Sequence, residues 1–282
     1  MNLKAFEYYL ESKKHAASTI ADHIMNLQRF KAWAAEALPE AEQASYNELL
    51  GYVQWLKSRE LTTPTINLRL NSLRKYYEHL KEEEVISKNP VRNLRIRGSL
   101  IRVTEQPLSY IELEDLYNNY VSYSKEKDYH IRNTAMLGLM IWQGVNSGDL
   151  LRMEPRHVRL GAGNVYIPSS RRGNSRELRL DARQIIILHQ HMESLPLTST
   201  KLFIGSVRNH VTKLSEEVKG INGIVRNMLH IRASVILYWM KLHEKRQVQY
   251  MAGHKWISTT EMYEQQEITS LSDQLNRHHP FG

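Results

Sequence analysis

A chain of 282 residues, 41% hydrophobic and 24% charged, has the composition of a folded globular protein and a length that suggests two domains. Its formal net charge of +8, from 38 Lys and Arg against 30 Asp and Glu, fits a polyanionic partner such as nucleic acid or else a basic soluble enzyme. The absence of cysteine excludes disulfides and cysteine-ligated zinc, and no apolar run reaches the length of a membrane span, so a reducing cytoplasm is the expected compartment.

The first ninety residues read as helices joined by short loops. Residues 18–34 place Ile20, Ile24, Leu27, Lys31 and Ala34 along one helical track flanked by Phe30 and Trp33, and residues 46–58 form a second candidate. In the third, Thr63 is positioned as N-cap before Pro64, and Ile66, Leu70, Leu73, Tyr77 and Leu80 recur at steps of three and four. Its other faces carry Asn67, Arg69, Arg74 and Lys75, either a solvated surface or a face that reads DNA. Fifteen tyrosines against four phenylalanines imply hydroxyls at a polar interface.

The stretch KNPVRNLRIRGSLIRVTEQPLS breaks the periodicity and carries Arg92, Arg95, Arg97 and Arg102 before its first acid. It is read as a basic interdomain linker, centred on 98–107, between a domain at 1–97 and another at 108–282. Beyond it, SYIELEDLYNNYVS looks like a helix with early acids and residues 130–143 like a buried one. The turn signals GAGN and RRGN bracket the short strand candidates VYIP and ELRL, which predicts a small antiparallel sheet. From 216 onward the pattern is helical again, and ASVILYWM is too continuously apolar for a surface helix. The expected fold is therefore mainly α, with two domains and a small antiparallel sheet in the second. None of the thirteen histidines has convincing metal-ligand spacing, so no metal is expected.

Four segments of the second domain resemble, in order, the catalytic domain of the tyrosine recombinases, the family of phage integrases and Xer-type recombinases. LMIWQGVNSGDLLRMEPRHVRL looks like the segment built around Gly-Leu-Arg-x-Ser-Glu-Leu, and NVYIPSSRRGNSRELRL like the β-hairpin that delivers a lysine. MLHIRASVILYWM resembles the His-x-x-Arg helix, and VQYMAGHKWISTTEMY is similar to the Leu-Gly-His segment that leads to a nucleophilic tyrosine. The first domain, ending in KNPVRNL, is similar to the family's helical, SAM-like core-binding domain. The resemblance implies DNA breaking and rejoining without cofactor: Tyr263 attacks a phosphate to give a 3′-phosphotyrosyl bond, while His254 and Arg232 hold the phosphate oxygens.

Three positions depart from the family pattern. Asn146 stands where the first arginine is expected, and Leu229 stands where the first histidine is expected, with His230 one place late. The hairpin lysine falls on Arg171 or Arg172; arginine holds phosphate well but does not readily give up a proton. A one-residue shift turns a helical side chain by about 100°, so His230 serves only if the helix is bulged. Two readings follow: an active recombinase with a reworked pocket that recruits Arg171, Arg172, Arg176 or another base, or a DNA-binding relative with an architectural or regulatory role. Phosphate contacts are expected from Arg69, Arg74, Lys75, Arg95, Arg97, Arg102 and Arg176. The implied partners are double-stranded DNA, further copies of the chain in a tetramer on paired sites, and accessory DNA-bending proteins, and the implied location is the nucleoid. Ile268, Leu271 and Leu275 in the tail form a stripe suited to docking on a neighbouring copy.

Overall fold

The computed structural model describes residues 1–97, 106–123, 129–170 and 173–264. The chain divides into two units, Met1–Ile101 and Arg102–Gly282, each with its own hydrophobic core.

The first unit packs α1 (Leu3–Ser12), α2 (Ala17–Ala37), α3 (Tyr46–Ser58) and α4 (Thr63–Glu82). The starts of α1 and α3 follow local chemistry. Asn2 accepts a hydrogen bond from the Ala5 amide, and Ser45 and Glu48 form a reciprocal capping box that satisfies two otherwise orphaned amides. The N-cap of α4 is Thr62 rather than Thr63, with Pro64 inside the first turn, where its missing N–H costs nothing. The buried face of α2 runs through Ile20, His23, Leu27, Phe30 and Ala34, leaving Lys31 exposed. An ammonium has no partner in that core, so the helix turns Phe30 inward. Between α2 and α4, the Ser72 hydroxyl bonds His23 Nδ1 at 2.9 Å and accepts from Asn26 Nδ2 at 3.0 Å.

Several tyrosines are core residues rather than interface residues. Tyr76 and Tyr77 are buried, and their hydroxyls donate to Glu42 Oε1 at 2.7 Å and Ala41 O at 2.5 Å, both within the same unit. The segment that follows α4 is also part of this core. Val91 and Leu94 are buried, and Asn67 clamps Ile96 through bonds to both its carbonyl and its amide. The basic stretch from Lys88 to Arg97 thus closes the helical bundle, and residues 98–105 of the expected linker lie outside the described residues.

In the second unit, α6 (His130–Trp142) is buried along most of its length. It lies among α5 (Tyr110–Ser122), α8 (Ala182–Glu193), α9 (Val207–Ile221) and α10 (Met228–Leu242). That position explains why its sequence lacks a polar face. The short α7 (Ser147–Arg152) leads into a three-stranded antiparallel sheet in the order β1 (Val158–Arg159), β2 (Asn164–Ile167), β3 (Arg176–Arg179). Helix α11 (Lys245–Ala252) and a helical segment at 257–264 complete the described chain. Residues 106–108 are docked on α10: Gln106 O bonds His230 Nε2 and the Leu108 amide donates to Ser234 Oγ. Among the described residues, no helix is long and apolar enough to cross a membrane.

Candidate active site

Arg232 lies one turn into α10, whose first turn is capped by the Asn227 side chain. Its guanidinium donates through Nη1 to Gly144 O and through Nη2 to Ala252 O, the latter at 2.8 Å. It therefore ties the loop before α7 to the end of α11. Gly144 takes a left-handed conformation there (φ +55°), and a Cβ on it would press against the Trp239 ring at 2.8 Å.

Helix α11 ends on Gly253, whose φ of +68° closes the helix in the left-handed conformation that favours glycine. The next residue, His254, is fixed from three sides. Its amide and carbonyl both bond Gln249, Gly173 of the β2–β3 hairpin pairs with it as a β-bridge, and its Nδ1 lies 2.9 Å from Thr260 Oγ1. Tyr263, on the same helical segment as Thr260, stacks on the imidazole with ring centroids 5.8 Å apart and planes 16° from parallel.

These contacts shift protonation equilibria. Burial, then the charges of Arg232 and Arg176, push His254 down to about 4, so the imidazole is neutral near pH 7. Burial raises the Tyr263 hydroxyl above its ordinary pKa, and the charge of Arg232 and a hydrogen bond from it pull the other way. Arg232 is itself lowered, by burial and then by Arg176, with Asp149 opposing. The structure thus brings Arg232, His254 and Tyr263 into one pocket.

The departing positions have definite fates. Asn146 is the N-cap of α7: its Oδ1 accepts from the Asp149 amide, and Asp149 Oδ2 accepts from the Asn146 amide. Leu229 is 72% exposed and lines a cavity of about 500 Å³ together with Arg232, Asn146 and Lys219. His230 does not take over the missing histidine's place. Helix α10 has no bulge there, and His230 is turned into the domain, where Nδ1 accepts from the Arg226 amide and Nε2 donates to Gln106 O. Arg171, Arg172 and Arg102 lie outside the described residues, as does the tail stripe of Ile268, Leu271 and Leu275.

Arg176 is not a surface contact for DNA. It is 3% exposed, and its Nη2 pairs with Asp149 Oδ2 at 3.0 Å. The reason is register: Arg176 is paired with Ile167, and residues opposed in a ladder point to the same face, here the interior. The guanidinium fits only because residue 253 lacks a side chain, since a Cβ there would stand 2.3 Å from Nη1. Asp149, which also pairs with Arg152 at 2.9 Å, and Thr260 are the site residues that sequence reasoning missed. Asp149 was legible as an acid three residues after a helix cap; for Thr260, only its six-residue spacing from His254 was on view.

In the first unit, Arg95 and Arg97 are exposed, Lys75 is partly exposed, and Arg69 is partly buried. Arg74 is engaged within its own unit. Its guanidinium donates to Arg92 O, Leu94 O and Asn71 Oδ1, so it braces the end of the domain rather than waiting for phosphate. Unsatisfied carbonyls in that irregular segment claim it first.

The chain thus has two hydrophobic cores, a helical bundle followed by a helix-rich unit with a three-stranded sheet, and an arginine, a histidine and a tyrosine brought together in the second unit. Residues 3–97 match the family described as phage integrase, N-terminal SAM-like domain. The chain is similar to the tyrosine recombinase XerC of Pelobacter propionicus, 20% identical over 294 residues that cover 99% of this chain and 95% of the relative. It is also similar to the TnP I resolvase of Bacillus thuringiensis, 22% identical over 289 residues that cover 96% and 98%. Its fold resembles XerH site-specific recombinase bound to palindromic difH substrate, with a TM-score of 0.71 at 17% identity over 90% of this chain and 78% of that one. It also resembles the Tn1549 transposon integrase in complex with transposon right end DNA, with a TM-score of 0.68 at 12% identity over 98% of both chains. The N-terminal part of the chain thus matches a phage-integrase domain family, and along nearly its whole length the chain is similar to tyrosine recombinases.

Proposed function

We propose that this protein binds duplex DNA and breaks and rejoins its strands at specific sites through a 3′-phosphotyrosyl intermediate on Tyr263. The observation that carries this reading is the stacking of Tyr263 on His254 beside Arg232. In the proposed step the Tyr263 oxygen forms a bond to phosphorus as the bond to the 5′-oxygen breaks. The tyrosine gives up its proton, the leaving 5′-oxygen gains one, and a 5′-hydroxyl later reverses the exchange. Phosphodiester energy is conserved, so the reaction needs no nucleotide or metal.

The chain's own groups supply what such a step requires. Arg232 retains guanidinium hydrogens beyond those bound to Gly144 and Ala252, and it favours the phenolate form of Tyr263. His254, neutral at working pH, offers an N–H to a non-bridging oxygen. Arg176, paired with Asp149, is a second cation behind the pocket whose charge is felt by both Arg232 and His254.

A second reading has its own support. Asn146 Oδ1 is occupied by capping, His230 faces away and Leu229 brings no polar group, which favours a relative that binds DNA without cutting it. Nicked suicide duplexes taken from the DNA flanking the gene separate the two. A covalent protein–DNA adduct on a denaturing gel, absent in Tyr263→Phe, is the expected result; no adduct on DNA that both forms bind equally well would establish the second reading.

A further inference from the structure

His254 and Thr260 form a unit that the strand-exchange reading does not itself require. Thr260 is fully buried, His254 is 7% exposed, and their 2.9 Å contact joins Oγ1 to Nδ1. Two other helical threonines turn their hydroxyls back to the carbonyl four residues earlier, Thr134 to His130 O and Thr212 to Arg208 O. Thr260 instead directs its hydroxyl at the imidazole.

A neutral imidazole carries one N–H, and the hydrogen bond made by one nitrogen determines whether the other donates or accepts. With Nδ1 held by Thr260, Nε2 is the nitrogen left to meet a substrate. If the ring proton were on Nδ1, a lone pair on Nε2 would face an anionic oxygen and repel it. If the Thr260 hydroxyl donates to Nδ1, the ring proton sits on Nε2 and points outward as a donor. We propose that Thr260 is a positioning residue that holds His254 in the Nε2–H tautomer, so that a neutral histidine acts as a phosphate donor. This deepens the proposed function and rests on it for the identity of the bound oxygen, while the tautomer itself is a property of the protein alone.

The rest of the pocket fits this assignment. Gln249 holds the His254 backbone through both its amide and its carbonyl, while burial and the stacked Tyr263 ring confine the imidazole itself. Tyr263 lies one helical turn beyond Thr260, so one short helix sets both the nucleophile and the state of the donor beside it.

The test is long-range ¹⁵N–¹H correlation on full-length protein labelled at histidine, with His254 assigned by its disappearance in His254→Gln. The expected wild-type result is an unprotonated, hydrogen-bonded Nδ1 and a protonated Nε2. Thr260→Ser should keep that pattern, and Thr260→Val should convert it to a mixture of tautomers. Adduct formation on suicide duplexes should fall about ten- to a hundred-fold in Thr260→Val, the loss typical when a metal-bound histidine loses its hydrogen-bond partner, and recover in Thr260→Ser. A protonated Nδ1 in the wild type, or a Thr260→Val protein with unchanged nitrogen shifts, overturns the proposal whatever the DNA chemistry. Should Thr260→Val fail to fold, the wild-type and Thr260→Ser nitrogen patterns still decide. Absence of any adduct in the wild type would count against strand cleavage and leave the tautomer to be judged by the nitrogens.

Discussion

The pocket's electrostatics turn on two side chains whose roles come from burial. His254 has a folded pKa of about 4, below the 6.5 of an exposed histidine, so between those values the unfolded chain binds the extra proton. Stability associated with this group is therefore complete above pH 6.5 and is lost as pH falls toward 4, a difference of about 3 kcal/mol. His254→Gln should flatten that part of the stability–pH curve in chemical denaturation. A DNA phosphate carries charge opposite to imidazolium, so bound DNA should raise the His254 pKa in an NMR titration; an unchanged value would mean that no phosphate sits at the ring. Arg176 governs the same group from behind. Arg176→Ala removes a buried partner of Asp149, which should cost about 3 kcal/mol in unfolding free energy. It also removes a charge that depresses His254, so the histidine pKa should rise in the variant even without DNA.

At the scale of elements, the site depends on how helix ends and one hairpin are closed. Gly253→Ala would force a side chain into the left-handed region and into Arg176. The expected loss exceeds the roughly 1 kcal/mol of a simple left-handed penalty, with a clear drop in thermal midpoint. Asn146→Arg sets two effects against each other. It deletes the N-cap of α7, at a cost of about 1 kcal/mol, while adding a guanidinium beside Arg232. The variant should melt earlier yet form the DNA adduct faster, and an earlier melt without faster adduct would mean that the capping geometry matters more than the charge. The elements themselves were largely legible, because periodicity and caps are local: Ser109 with Glu112, and the unbroken apolar run of α10, needed no partner to be read. The exposure of Leu229 beside the burial of His230 also follows from helical rotation. The inward face of Arg176 does not, because in RELR either alternate set could be buried until pairing with Ile167 fixes the choice. Arg74 misled for a similar reason: a basic residue on a helix looks solvated until an irregular segment far along the chain brings its carbonyls to it.

For the whole molecule, each unit has its own hydrophobic core, so the DNA binding proposed above can be tested on the first unit by itself. The first unit closes its own core with Val91, Leu94 and the Asn67–Ile96 clamp, so a fragment of residues 1–97 should unfold in a single cooperative transition. Its exposed Arg95 and Arg97 are suited to phosphate, whereas Arg74 is engaged internally. If each arginine neutralises one phosphate, Arg95→Ala and Arg97→Ala should each reduce the slope of log affinity against log salt by about 0.9, and Arg74→Ala should leave the slope unchanged while lowering the melting temperature. Measured on a duplex without a recognition site, these slopes count ionic contacts independently of cleavage. A fall in slope for Arg74→Ala as large as that for Arg95→Ala would mean that DNA draws the Arg74 guanidinium away from the Arg92 and Leu94 carbonyls. The end of the first domain would then have to rearrange on binding.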